Sequence, residues 1–401
     1  MNKIYLLFIA MIIHTVCCAE TSDSLFLSGV RKGNAKDYAG AVSDFSKVLK
    51  AQPLHVESYV KRGIAKSYLM DYDAAIEDFS KAIEISPKNE QAYYQRGLAR
   101  DLAKDYENAL LDFEITINNN PKNSDAFFQK ALTLAVLKRH SDAIDDFNKA
   151  LELDPENAKI IYYRGVSKTE ISDYLSAIED FSKTIEIAPN NSEAYIRRGI
   201  AKGSLKDLPA AIEDFNKAIE IDPKNEGAYY NRGLARDIKS SILDFDKAIA
   251  LKPNYVEAFI RRGIAKGMLN DTKGSIEDLS KAIDNDPRNS DAYFNRAIGL
   301  KKINENSGAL ADFTRVTELD PKNAIAFCNK GELNLKFEYF SDAISDLTKA
   351  IKIKPDFAIC YYLRSQAYSR INDKEKACSD YNQAKQYGYQ SSPFDFKKPC
   401  D

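Results

Sequence analysis

Chemistry in this sequence would have to come from three histidines (His14, His55, His140) and six cysteines (Cys17, Cys18, Cys328, Cys360, Cys378, Cys400). A histidine can move protons near neutral pH, and a thiolate can attack carbon or bind metal. Either needs neighbours, and none of the usual sets is present. There is no Cys-x-x-Cys pair, no phosphate-cradling loop and no dinucleotide-type glycine fingerprint. The acidic run holding Asp142, Asp145 and Asp146 lacks the glycine turn and ligand spacing of a calcium loop, so it reads as a solvated helix face. The expectation is a chain that is not an enzyme and needs neither cofactor nor metal.

Composition agrees. With 57 basic against 59 acidic side chains the net charge is −2, too small for a bulk field that would attract nucleic acid. A hydrophobic share of 44% beside 29% charged residues suits a folded chain, not a disordered one. Zero Trp beside 23 Tyr and 20 Phe suggests that a few positions are reused many times.

The elements that place these residues start after a distinct amino terminus. Lys3 precedes an apolar run from Ile4 to Ile13, then Cys17-Cys18-Ala19, the pattern of a secretory signal peptide spanning 1–19. The run is short for a membrane span, and lipidation of Cys17 or Cys18 would need a better match to a lipobox. The expected mature chain begins near Glu20, carries no membrane span, and is secreted or periplasmic.

Beyond the leader, Pro recurs at 53, 87, 121, 155, 189, 223, 253, 287, 321 and 355, and all but one of these spacings is 34 residues. This divides the chain into eleven units: 22–55, 56–89, 90–123, 124–157, 158–191, 192–225, 226–255, 256–289, 290–323, 324–357 and 358–388, with a tail at 389–401. Each unit reads as helix, turn, helix. Asn opens the first helix at seven junctions (Asn89, Asn123, Asn157, Asn191, Asn225, Asn289, Asn323), and Asp37, Asp71, Asp105, Asp173, Asp207, Asp271 and Asp373 open the second. Proline stops the second helix. The seventh unit lacks four residues, about one helical turn, so it should keep its phase in a shortened hairpin that bends the stack locally.

Columns show how the helices meet. The eighth place is small (Gly29, Gly63, Gly97), the twentieth Ala or Ser, and the twenty-fourth large (Phe45, Phe79, Phe113), so a ring should sit where the facing helix has no side chain. The seventh place is basic in ten units, from Arg62 to Arg364, and the twenty-third is Asp in all eleven. Matched charge at fixed offset predicts a repeated Arg–Asp ladder.

With these columns, the 34-residue period and the Asp-Pro endings (Asp154-Pro155, Asp222-Pro223, Asp320-Pro321), residues 22–388 resemble tandem tetratricopeptide repeats. The eleventh place departs from the family's pattern: it is mostly basic (Lys66, Arg100, Lys168), where the family has an aromatic. The resemblance implies an all-α, right-handed α-solenoid superhelix whose first helices line a concave face. It further implies that places 2, 5, 6, 9, 12 and 13 meet a protein or peptide partner. Here the fifth and sixth places give Val60, Lys61, Tyr94, Gln95, Phe128, Gln129, Tyr162, Ile196, Arg197, Tyr230, Asn231, Ile260, Arg261, Phe294 and Asn295. The fifth and ninth places could instead pack between neighbouring first helices. The chaperone-adaptor members' carboxylate clamp, Lys at place 5 and Asn at place 9, is absent.

In the last unit place 21 becomes Cys378 and place 28 becomes Lys385, as befits a terminal face with no further neighbour. A Cys378–Cys400 bridge fastening the tail is the expected pairing, with unpaired thiols as the alternative. The expected function is a scaffold that binds a partner along its concave face; the alternative is an assembly component of the cell envelope working by its convex surface or ends.

Overall fold

The structure is a computed structural model that describes residues 22–390. All regular structure among the described residues is α-helical. Packing divides the chain in sequence between Lys206 and Asp207, inside the sixth repeat, and each unit is described by itself. The N-terminal unit holds α1 (22–34), α2 (Tyr38–Ala51), α3 (Val56–Tyr68), α4 (Tyr72–Ile85), α5 (Glu90–Leu102), α6 (Tyr106–Asn119), α7 (Ser124–Val136), α8 (His140–Leu153), α9 (Ala158–Glu170), α10 (Tyr174–Ile187) and α11 (Ser192–Ser204). The C-terminal unit holds α12 (Leu208–Ile221), α13 (Glu226–Ala235), α14 (Ile238–Leu251), α15 (Val256–Met268), α16 (Thr272–Asn285), α17 (Ser290–Lys302), α18 (Asn306–Leu319), α19 (Ala324–Lys336), α20 (Phe340–Ile353), α21 (Ala358–Arg370) and α22 (Lys374–Gln386). Within each unit every helix packs on the next, and first helices of successive repeats also touch, as α3 does α5 and α19 does α21. Each unit is therefore a stack of helical hairpins, the solenoid arrangement.

One repeat shows the local logic. The Asn89 side chain accepts from Ala92 N at 2.9 Å and starts α5. The helix closes at Lys104, whose φ of +65° is left-handed, and Asp105 N returns to Arg100 O at 2.8 Å. Nine other repeats have such a residue at this place, among them Lys36, Met70, Ser172 and Glu338. Side chains of Asp37, Asp71, Asp173, Asp207, Asp271 and Asp373 cap the following helix as expected. Asp105 is the correction: it makes no backbone cap, because the Asn108 amide donates to both its oxygens at 2.9 Å.

The small and large columns interlock. A Cβ added to Gly97 would lie 2.7 Å from Phe113 Cε1, closer than carbon atoms approach, so only glycine admits this ring at this spacing. Where the eighth place is Ala131 or Ala297, Phe147 and Phe313 are still fully buried, so the helices there accommodate one methyl group.

The charge ladder forms within repeats and adds a rung between them. Arg96 Nε and Nη2 donate to the two oxygens of Asp112 at 3.0 and 2.8 Å, and Arg100 Nη1 donates to the same carboxylate at 2.6 Å. The remaining Arg96 nitrogen donates to Ser80 Oγ of the preceding repeat at 3.0 Å. The guanidinium also lies 5.4 Å over the Tyr93 ring. The pattern recurs with Arg62, Asp78 and Ser46, with Arg164, Asp180 and Asn148, and with Arg296, Asp312 and Ser280. A fork that satisfies both carboxylate oxygens is the geometry in which buried charge is tolerated.

In the seventh repeat α13 has 10 residues where other first helices have 13. Phase survives: Arg232 Nη2 reaches Asp244 Oδ1 at 2.6 Å across 12 residues, where the other repeats span 16.

Candidate partner-binding face

First helices stack directly on one another, and this decides which of their side chains stay accessible. The fifth place of one repeat faces the third place of the next: Val60 packs in one cluster with Ala92, Phe128 with Ile160, and Ile260 with Ala292. Val60, Phe128, Ile196 and Ile260 are consequently buried, while Tyr94, Tyr162, Tyr230 and Phe294 are half-buried. Much of the expected apolar floor is thus wall between repeats. Burial pushes the Tyr94 phenol up to about 12, helped by nearby Asp125, and burial does the same for Tyr162 beside Glu193. Both phenols stay protonated at neutral pH.

What remains open is the sixth place and part of the ninth. Lys61, Gln95, Gln129, Arg197, Asn231 and Asn295 are half-buried and Arg261 is exposed. Beside them Leu234 is 48% and Ile298 42% exposed. Some of these polar groups are already held. Arg197 Nε donates to Glu193 at 3.0 Å, Asn231 to the Gly227 carbonyl at 2.8 Å, and Asn295 to the Asp291 carbonyl at 2.8 Å. The asparagine carbonyl oxygens and the remaining amide hydrogens can serve as peptide-like acceptors and donors.

The structure adds a covalent link that sequence reading missed. Cys328 of α19 and Cys360 of α21 form a disulfide with Cα atoms 5.8 Å apart. They occupy the fifth and third places of successive repeats, where most other junctions put a large residue against Ala. The expected partner of Cys378, Cys400, lies outside the described residues, as does the 1–19 leader.

Among the described residues no group of His, Cys, Asp and Glu is arranged to hold a metal ion, and no helix is long and apolar enough to cross a membrane. Comparison with known proteins bears on the family. Profiles described as TPR repeat match residues 71–100 and 204–236, and profiles described as tetratricopeptide repeat match 124–157, 324–357 and 358–387. The chain is a tetratricopeptide repeat (TPR) protein. Among solved structures, the C-terminal part of a TPR repeat-containing protein from Cytophaga hutchinsonii is 18% identical, covers 59% of this chain and 98% of its own, and has a TM-score of 0.51. It shows the shared fold. YrrB, described as a TPR protein with an unusual peptide-binding site, is 28% identical over 46% of this chain and 96% of its own, with a TM-score of 0.41. A TPR protein from Parabacteroides merdae is 19% identical over 58% of this chain and 94% of its own, at a TM-score of 0.43. A search of curated proteins found no match. Such an array is a protein-interaction scaffold of a kind that is typically non-catalytic, and its partners are proteins or peptides.

Proposed function

We propose that this TPR protein is exported from the cytoplasm and binds a protein or peptide along the face built by its first helices. The observation that carries the reading is the accessible row of the C-terminal unit, where Asn231, Arg261 and Asn295 at the sixth place alternate with Leu234 and Ile298 at the ninth. An extended or helical peptide needs both backbone partners and apolar contact. Export is supported by the signal-like pattern of residues 1–19 and by the Cys328–Cys360 disulfide, since such bonds persist in oxidising compartments.

A second reading, assembly through the second-helix surface, has its own observation. Leu111, Leu175 and Leu243 on second helices are 61%, 68% and 70% exposed. Affinity capture from the native source separates the two. Leu234→Glu with Ile298→Glu should abolish capture of the partner, whereas Leu111→Glu with Leu243→Glu should leave it intact. The reverse result would favour the second-helix surface.

A further inference from the structure

The first two repeats hold a half-open cavity of about 270 Å³ between α1, α2 and α3. Its walls are Val30 of α1, Ile64 of α3, and the parallel rings of Tyr38 and Tyr68, whose centroids lie 4.6 Å apart at 6°. The twelfth place of this repeat, Gly33, adds no side chain to it. A Cβ there would meet only Ala41 Cβ, at 4.0 Å, so the space beside it is unfilled. Lys61 also lines it. Among the described residues its Nζ has no hydrogen bond or ion pair. A cavity walled by aromatic and aliphatic side chains, with Asn34 and the unpaired Lys61 also in its lining, suits an apolar side chain flanked by negative charge.

We propose that this cavity receives one large apolar side chain, leucine or phenylalanine, of a peptide partner that carries an Asp or Glu within two residues of it, the carboxylate pairing with Lys61. This rests on the first-helix reading above and names the chemistry of its partner. Size is adequate: cavities of about 150 Å³ lined by aliphatic and aromatic groups hold benzene. The preference for an acidic flank comes from a partly solvated pair and is modest; the apolar anchor dominates.

The test is selection of short random peptides displayed on phage against the full chain, followed by binding of the enriched peptides to variants. Gly33 has room for a Cβ, and Gly33→Leu extends from there into the cavity while placing a better helix former in α1; circular dichroism and the melting temperature of the variant check that it folds. Enriched peptides should share an apolar residue next to or one removed from an acid. Their affinity should fall by about tenfold or more on Gly33→Leu, the loss expected when a buried aliphatic group is expelled, and by about threefold on Lys61→Met. Enriched peptides that bind Gly33→Leu as tightly as the unaltered chain would overturn the proposal. If those same peptides lost binding to the Leu234→Glu, Ile298→Glu variant, the first-helix reading would survive without the cavity. If no peptide were enriched, or none responded to either change, both would fall.

Discussion

Repeats 256–289 and 324–357 are two copies of one frame that hold the same buried carboxylate differently. In the first, Arg262 grips both oxygens of Asp278, at 2.5 and 2.8 Å, Lys266 adds a contact at 2.8 Å, and Arg262 also reaches Asp246 of the preceding repeat. In the second, Lys330 stands 3.4 Å from Asp346 and the eleventh place is Asn334, which donates at 2.9 Å. Burial pushes the Asp346 carboxyl up, and Lys330 offsets only part of that rise. Repeat 124–157 repeats the weaker arrangement: Lys130 is 3.4 Å from Asp146, the eleventh place is Leu134, and burial again leaves the carboxyl raised. The frame thus tolerates a buried acid with one cation or two. What the planar fork adds is neutralisation of both oxygens together.

The largest expected effect comes from removing the carboxylate. Asp278→Ala leaves Arg262 and Lys266 facing each other and should cost about 3 kcal/mol, whereas Asp346→Ala should cost about 1 kcal/mol. Urea unfolding of both variants measures the gap, and equal losses would mean that the second cation contributes nothing. Next in size, a leucine forced against the twenty-fourth place should cost about 2 kcal/mol in either repeat. A Cβ on Gly263 would lie 3.0 Å, and one on Gly331 2.6 Å, from the facing leucine Cγ. Similar melting-temperature losses for Gly263→Leu and Gly331→Leu would confirm that the two repeats share one apolar half and differ only in the charged half.

The raised Asp346 gives a pH signature. A carboxyl whose folded pKa lies above its unfolded value of about 3.9 favours folding fully below that value. Its contribution is lost as pH rises through the folded pKa. Asp44 has the opposite shift: burial raises it, but hydrogen bonds from Lys32 and Ser28 outweigh burial, so its contribution is lost as pH falls. Denaturant midpoints taken from acid to neutral pH should therefore show the unaltered chain losing stability relative to Asp346→Asn and gaining it relative to Asp44→Asn. The smallest effect concerns the left-handed turn residue, Asn270 in one repeat and Glu338 in the other, with φ of 66° and 62°. Glu338→Gly should stabilise by up to about 1 kcal/mol and Asn270→Gly by less, since asparagine already tolerates this conformation. Thermal melts would show the difference.

The period, the caps, the glycine–phenylalanine column and the Arg–Asp ladder were legible because each is a local offset repeated many times. The contacts that escaped reading join one repeat to the next or depend on a single departure. Tyr94 and Val60 look alike as apolar fifth-place residues, yet Val60 is buried in one cluster with Ala92 of the next repeat while the larger Tyr94 is half-buried. Cys328 and Cys360 meet for the same reason, and no spacing rule within one repeat brings a fifth place to a third. The left-handed turn was invisible because Lys104, Met70 and Glu338 carry none of the usual signals. The cavity beside Gly33 was not readable from the twelfth place alone, since Gly203 and Gly267 stand there in other repeats.

Partner binding on the first-helix face is the claim on which the proposed function rests. A photoreactive amino acid placed at Gln129 and Asn295 of first helices, and at Leu111 and Leu243 of second helices, reports this directly in the native mixture. Crosslinks to a captured protein from Gln129 and Asn295 alone are the predicted result. Crosslinks from Leu111 or Leu243, with none from the first helices, would contradict it.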